Sequence, residues 1–287
     1  MWQAEFVAAR LAAAHPGLVI SLVPIVTEGD RIQDRSLAAA GGKGLFIKEL
    51  ENALADGRAD IAVHSMKDMP AAMPAGFAIS AALERGDPRD CLVSTRHDSL
   101  AALPAGARVG TSSLRRQCQV RHRRPDLAVV PLRGNVDTRL AKLDAGDCDA
   151  VILAAAGLDR LGFDSRIRAR LEPGDMLPAV GQGIMGVECL ADRDDIAELV
   201  RSLEHRPTRI ALTAERALAA ALGASCNSPI AGYATVGGGS LRLEGLAGSA
   251  DGSRIVADGI SGAEGDAEAL GAALAAKLLD AGAGALL

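Results

Sequence analysis

Apolar positions recur at helical spacing over residues 2–14, the run stops at His15-Pro16-Gly17, and residues 18–26 follow as a near-continuous apolar stretch suited to a buried strand. The same alternation predicts a helix over 45–55 and strands over 60–64 and 77–83, hence a mixed sheet covered by helices. From Arg108 a second α/β unit begins: strand 108–110, helix about 113–122, strand 127–131, helix about 136–144, strand 149–154. Connections this short and regular are those of α/β units. Pro207 suits the first turn of a long helix ending near Gly223. Beyond it, residues 230–236, 241–246 and 253–260 alternate like antiparallel strands, and 267–279 reads as a closing helix. The last third is therefore expected to be a small α+β domain.

Composition narrows the function classes. The 31 basic and 36 acidic residues leave a net charge of −5, so the chain as a whole is not a polycation for nucleic acid, and any anion site must be local. Six aromatics, Trp2, Phe6, Phe46, Phe77, Phe163 and Tyr233, leave little for base stacking, which disfavours RNA as a partner. No run approaches the length of about 18 apolar residues that spans a bilayer, and residues 1–5 lack a secretory signal, so a cytoplasmic protein is expected. The five cysteines, Cys91, Cys118, Cys148, Cys189 and Cys226, are widely spaced with no Cys-x-x-Cys, which suggests neither a zinc site nor a disulfide framework. At least four of them read as small buried hydrophobes.

Charge is unevenly spread. Residues 115–142 hold eight basic residues against Asp126 and Asp137. A solvated helix face accounts for Arg121, Arg123 and Arg124. Arg115 and Arg116 differ, because they follow Gly110-Thr111-Ser112-Ser113 at a strand-to-helix turn, where hydroxyls and free N–H groups form an anion seat. Capping alone explains Thr111 and Ser112 but not the arginines. Leu132-Arg133-Gly134-Asn135 repeats the pattern at the next strand end, with Arg139 one helical turn on. Guanidinium groups converging there suit a ligand with several carboxylates.

His64-Ser65-Met66-Lys67-Asp68 lies at another strand end. In a loop, Lys67 and Asp68 are an ordinary surface pair; in a cleft, the carboxylate can exchange protons and face a cation while Lys67 holds an anion. His64 is more simply read as packed in the structure. Gly41-Gly42-Lys43-Gly44 lacks the spacing of a phosphate loop. Residues 177–183, Leu-Pro-Ala-Val-Gly-Gln-Gly, fit a crossover or hinge returning the chain to the first domain. Cys226 stands in the loop Ala224-Ser225-Cys226-Asn227-Ser228-Pro229 and is the thiol most expected to be accessible.

Taken together, these segments resemble the porphobilinogen deaminase (hydroxymethylbilane synthase) family. The resemblance runs from Trp2 to the last helix and rests on Gly41 to Phe46, Asp60 to Asp68, Gly110 to Arg116, Leu132 to Val136, Leu177 to Gly183 and the Cys226 loop. It implies two lobes like those of periplasmic binding proteins, with mixed sheets, around a cleft, plus a small C-terminal α+β domain. The expected units are 1–84 with 184–203, then 89–178, then 207–287. It further implies a dipyrromethane cofactor joined by a thioether to Cys226, and four porphobilinogen units added head to tail with loss of ammonia. Asp68 is implied as the catalytic carboxylate. Ser65, Lys67, Thr111, Ser112, Ser113, Arg115, Arg116, Arg133, Gly134, Arg139 and Arg160 are implied to hold the carboxylates of cofactor and growing chain. No metal, nucleic acid or membrane partner is implied, and the family suggests a monomer.

The main rival is a non-catalytic two-lobe module closing over a polycarboxylate, which uses the same arginines but has no use for Asp68 or Cys226. One departure from the family stands out. Its members begin with a short strand ending in Arg-x-Ser before the tryptophan that stands here as Trp2, and this sequence starts beside that tryptophan. A missing strand leaves a ladder edge unpaired. The 287-residue chain is therefore expected to be poorly stable or weakly active beside a form extended upstream, and equal activity and melting temperature in the two would refute this.

Overall fold

Val7 and Leu11, one turn apart, form the buried ridge of α1 (Trp2–Ala14). The structure, a computed structural model, describes residues 1–26, 47–223 and 228–287. The ridge packs on a core that includes Ala81, Leu83, Val187 and Val200. His15, at the end of α1, ties it down through Nε2, which lies 2.8 Å from the Leu199 carbonyl. Residues 18–26, expected as a buried strand, belong to no strand. Leu18 and Ile20 pack on the core, but Val19 is 90% exposed and Val26 59%. Apolar residues supply the drive to bury, yet a strand also needs a neighbour for its backbone groups, and no described strand pairs with this segment.

After α2 (Lys48–Ala55) the chain forms β1 (Ala62–Ser65) and β2 (Phe77–Ala82), then leaves for a second sheet. That sheet is built from β3 (Asp90–Val93), β4 (Arg108–Gly110), β5 (Ala128–Val130), β6 (Ala150–Ala154) and β7 (Ile167–Leu171), in the order β5-β4-β6-β3-β7. The β4 pairings with β5 and β6 are parallel; those of β3 with β6 and β7 are antiparallel. Helices α3 (Leu114–Arg123), α4 (Val136–Asp144) and α5 (Ala155–Arg160) follow β4, β5 and β6. The continuous apolar run of β6 has a direct cause. Val151 and Leu153 enter the core on one face while Ala150 and Ile152 enter the core on the other, so neither side can be polar.

Residues 172–184 carry the chain back, and β8 (Met185–Leu190) inserts between β1 and β2. Both of its pairings are antiparallel, so the mixed character expected of both lobes is realised in the five-stranded sheet. Gly181, at φ 70°, lets the return segment pass the Met66 turn, where a Cβ would come 2.8 Å from that of Met66. Then α6 (Asp194–Val200) and α7 (Arg206–Ala221) lead to an antiparallel sheet of β9 (Ile230–Gly237), β10 (Ser240–Gly248) and β11 (Ile255–Ala263), closed by α8 (Ala267–Asp280). Pro207 sits in the first turn of α7, as its rigid φ favours. The chain is thus α/β with a small C-terminal α+β domain.

Glu215, fully buried on α7, joins the three parts. Arg85 reaches it from the first crossover with Nη1 at 2.6 Å and Nη2 at 3.2 Å, Gly181 donates its N–H from the second at 2.7 Å, and Ala234 donates from β9 at 2.8 Å. The Arg85 guanidinium also lies 4.9 Å from the Tyr233 ring centroid.

Cys91, Cys118, Cys148 and Cys189 are buried, as the sequence suggested. Burial pushes the Cys91 thiol up to about 12 and the Cys118 thiol to about 11, and raises Cys148 as well. Cys226 lies outside the described residues. Among those described, no helix is long and apolar enough to cross a membrane.

Removing the Glu215 carboxylate strands a buried guanidinium and two N–H groups. Glu215→Ala is expected to lower the unfolding free energy by about 3–5 kcal/mol, and Glu215→Gln, which still accepts from the backbone, by less. Urea unfolding monitored by circular dichroism checks the order.

Candidate functional site

Ser65 ends β1, and the chain turns at once into a single 3-10 turn, Met66–Asp68. Buried Met66 anchors this turn, while Lys67 is half-buried and Asp68 exposed. Ser65, Lys67 and Asp68 form one wall of a cleft of about 240 Å³. The opposite wall comes from the second sheet: Ala154, Ala156, Gly157 and Arg160 at the end of β6 and along α5, with Val136 at the start of α4. Trp2 and Gln3 also line it. The site therefore lies at strand ends, between the two sheets.

His64 is buried behind this turn, its Nε2 2.8 Å from Glu188 Oε2 on β8. It is packed, as expected, and its pair holds the strand that presents Lys67 and Asp68.

Arg115 and Arg116 are nearly inaccessible, at 4% and 6% exposure, and both converge on fully buried Asp90 at the head of β3. Arg116 donates to Asp90 Oδ1 from Nε at 3.1 Å and from Nη2 at 2.8 Å. Arg115 Nη1 faces Oδ2 at 2.7 Å as a charge contact and donates to the Leu177 carbonyl, also at 2.7 Å. Gln182 Nε2 adds a bond to Oδ1 at 2.9 Å. At an effective dielectric near 20, each pair at this separation attracts by roughly 6 kcal/mol, which two pairs set against a desolvation cost of several kcal/mol per ion. Burial alone would push the Asp90 carboxyl up. The Arg115 and Arg116 charges outweigh it and hold the group well below the usual carboxylate range. One carboxylate against two guanidiniums leaves a positive excess beneath the cleft. Lys67 registers it: burial, then Arg116 and Arg115, lower its pKa against the opposing pull of Asp68 and Asp90.

The hydroxyls at this turn are engaged internally. Ser113 caps α3, its Oγ accepting the Arg116 N–H at 3.5 Å. Thr111 is buried and its Oγ1 accepts from the Ser113 N–H at 3.3 Å. Ser112 Oγ donates to the Leu132 carbonyl at 2.9 Å and accepts the Leu132 N–H at 3.1 Å, stapling the two strand-end loops together.

Gly134 has φ 112°, and a Cβ there would come 2.6 Å from Thr138, whose N–H is capped by Asn135 at 2.9 Å. This turn sets Arg139, which donates from Nε to the Gly134 carbonyl at 2.8 Å. Burial, Arg116 and Arg133 lower the Arg139 guanidinium to about 10, while Asp68 from the other wall raises it. The Arg133 guanidinium makes no hydrogen bond or ion pair with a described residue; its carbonyl accepts from Lys142 Nζ at 3.3 Å. Arg160 donates from Nη2 to the Gly183 carbonyl at 2.8 Å. The structure thus brings Lys67, Asp68 and Arg160 to one cleft, with Arg139 close enough to feel both Asp68 and Arg133, and with Arg115 and Arg116 locked behind it. Gly41 to Phe46 and Cys226 lie outside the described residues.

The arginines read as a solvated face act as staples instead. Arg121 Nη1 donates to the Ala250 carbonyl of the C-terminal domain at 2.5 Å, Arg123 to the Gly174 carbonyl, and Arg124 to Asp126 at 2.6 Å and the Leu103 carbonyl at 2.8 Å. Sequence reasoning missed Asp90, Gln182 and Trp2. An acid heading the apolar run Cys91-Leu92-Val93 was the available signal for Asp90.

A family model described as porphobilinogen deaminase, dipyromethane cofactor binding domain, matches residues 1–198, and one described as porphobilinogen deaminase, C-terminal domain, matches residues 209–280. The chain is 55% identical to the porphobilinogen deaminase of Chromobacterium violaceum over 287 residues, covering all of this chain and 93% of the relative. Among solved structures, a periplasmic substrate-binding protein of a Coxiella burnetii ABC transporter overlays 70% of this chain and 86% of its own, at 16% identity and TM-score 0.44. The VFT2 domain of Bordetella pertussis BvgS overlays 70% and 76%, at 16% and 0.41.

Asp90 supplies a test of the charge hub. Its folded pKa is depressed, so its contribution is complete above the unfolded value near 3.9 and is lost as pH falls towards the folded value. Asp90→Asn is expected to lower stability at pH 7 by about 3–5 kcal/mol and to flatten the loss between pH 5 and pH 3, read from urea midpoints across that range.

Proposed function

This chain belongs to the porphobilinogen deaminase family, and on that premise we propose that it condenses four porphobilinogen molecules head to tail into hydroxymethylbilane on a dipyrromethane held by a thioether to Cys226. The proposed units are residues 1–84 with 184–203, 89–178 and 207–287, acting as a cytoplasmic monomer. The observation that carries the reading is the pairing of Lys67 and Asp68 on one wall with Arg160 on the other, above a positively charged floor.

The donor set fits a pyrrole polycarboxylate. Lys67 and Arg133 donate no hydrogen bond to a described residue, and a half-buried ammonium in a field of guanidiniums is relieved by an incoming carboxylate. Lys67, Arg133, Arg139 and Arg160 would hold the acetate and propionate groups of cofactor and product; Ser65 and Gly134 shape the walls beside them. Arg115 and Arg116 act from behind by supplying field, with Thr111, Ser112 and Ser113 fixing their turn. When bound, the dipyrromethane would supply the free pyrrole carbon to which the methylene carbon of the first substrate is joined as ammonia departs, and the hydrogen displaced from that carbon would leave as a proton for the ionised Asp68 to take up.

Asp68 performs the proton work. Exposed to the cleft, it lends a proton to the amine nitrogen that departs from porphobilinogen as ammonia and, once ionised, faces the positive charge left on the pyrrole ring. Arg139 and Lys67 sit within its field. The cationic walls meanwhile keep the substrate carboxylates from competing with Asp68 for that charge.

The intact mass of the active protein is expected to exceed its sequence mass by a dipyrrole adduct that Cys226→Ala lacks. Asp68→Ala is expected to lower porphobilinogen turnover by roughly 10²–10⁴-fold. An unmodified mass in active protein, or full turnover in Asp68→Ala, overturns the reading, and binding without any turnover leaves a carboxylate binder.

A further inference from the structure

Charge alone does not distinguish porphobilinogen from any other small dicarboxylate. The cleft needs a flat apolar surface to read the ring, and among its described lining residues Trp2 is the one aromatic. Trp2 lies at the mouth with 37% of its surface exposed, large for an indole already stacked on a neighbour.

Its placement is built rather than incidental. Trp2, Phe6 and Arg10 follow at intervals of four on one face of α1. The Trp2 and Phe6 rings stack with centroids 5.2 Å apart and planes 13° from parallel, and the Arg10 guanidinium lies 5.7 Å from the Phe6 centroid. Across the cleft, the Arg160 guanidinium lies 6.0 Å from the Trp2 centroid. Arg160 is half-buried, is tethered by one bond to the Gly183 carbonyl and makes no ion pair with a described residue. Its remaining N–H groups are available to a carboxylate, in a fork whose geometry favours bidentate contact.

We propose that Trp2 is the wall of the cleft that receives the pyrrole ring of porphobilinogen, while Arg160 beside it takes one of the ring's carboxylates. This rests on the deaminase reading and adds to it the residue that selects for the ring. The stacked Phe6 and Arg10 keep the indole from turning away, so the wall is in place before substrate arrives.

Trp2 is the sole tryptophan of the chain, so its emission reports on this wall alone. The holoprotein is titrated with a pyrrole that carries acetate and propionate but no aminomethyl group, and separately with glutarate. A saturable change in emission with the pyrrole, and a far smaller one with glutarate, supports the proposal. Trp2→Ala is expected to raise KM for porphobilinogen about 3- to 10-fold at nearly unchanged kcat, and Trp2→Phe to restore KM to within about twofold. Urea midpoints for both variants verify that the fold is kept. A silent indole, equal responses to both probes, or an unchanged KM in Trp2→Ala overturns it. Those failures leave adduct and turnover intact, whereas failure of the deaminase reading removes both from the unaltered chain.

Discussion

Asp90 with Arg115 and Arg116 is the interaction on which the rest depends. A fully buried carboxylate survives only because two guanidiniums meet it, and those guanidiniums survive burial only because it is there. The triad joins the head of β3, the first turn of α3 and, through Gln182, the segment returning to the first sheet. It therefore fixes the edge of the second lobe nearest the cleft. It also leaves one positive charge uncompensated in a place where water cannot screen it.

That excess changes what the arginines do. A reading from residue types expects every guanidinium near an anion site to touch the anion. Here the two with the best sequence credentials are held from within by Asp90 and backbone carbonyls, and the cations that line the cleft are Lys67 and Arg160, with Arg139 in the field of Asp68. In the proposed reading the buried pair sets the potential and the half-buried set makes the contacts. An acidic protein can in this way hold a growing polyanion without a basic surface.

Much of the framework was legible because hydrophobic period and turn chemistry act locally. Helices α1, α3, α4, α7 and α8 and the three C-terminal strands stand within a few residues of where their patterns placed them. Residues 18–26 did not follow, since burial by composition says nothing about whether a partner strand is present. Strands β3 and β7 went unread because one is short and headed by charge and the other alternates arginine with apolar residues. The strand-end motifs were found by type, but the assignment of their hydroxyls to capping and stapling depended on distances no spacing contains. Asp90 had to be found by what stands across from it.

The four described thiols carry a chemical consequence for anything that attaches covalently to this chain. Sulfur reacts as thiolate, and burial suppresses that form at Cys91, Cys118 and Cys148, while Cys189 is sealed at zero exposure. An electrophile diffusing in solution finds no competitor among them. Regioselectivity at a fifth sulfur then demands no recognition of the incoming group, only that its rivals be silent, and the interior packing has already silenced them.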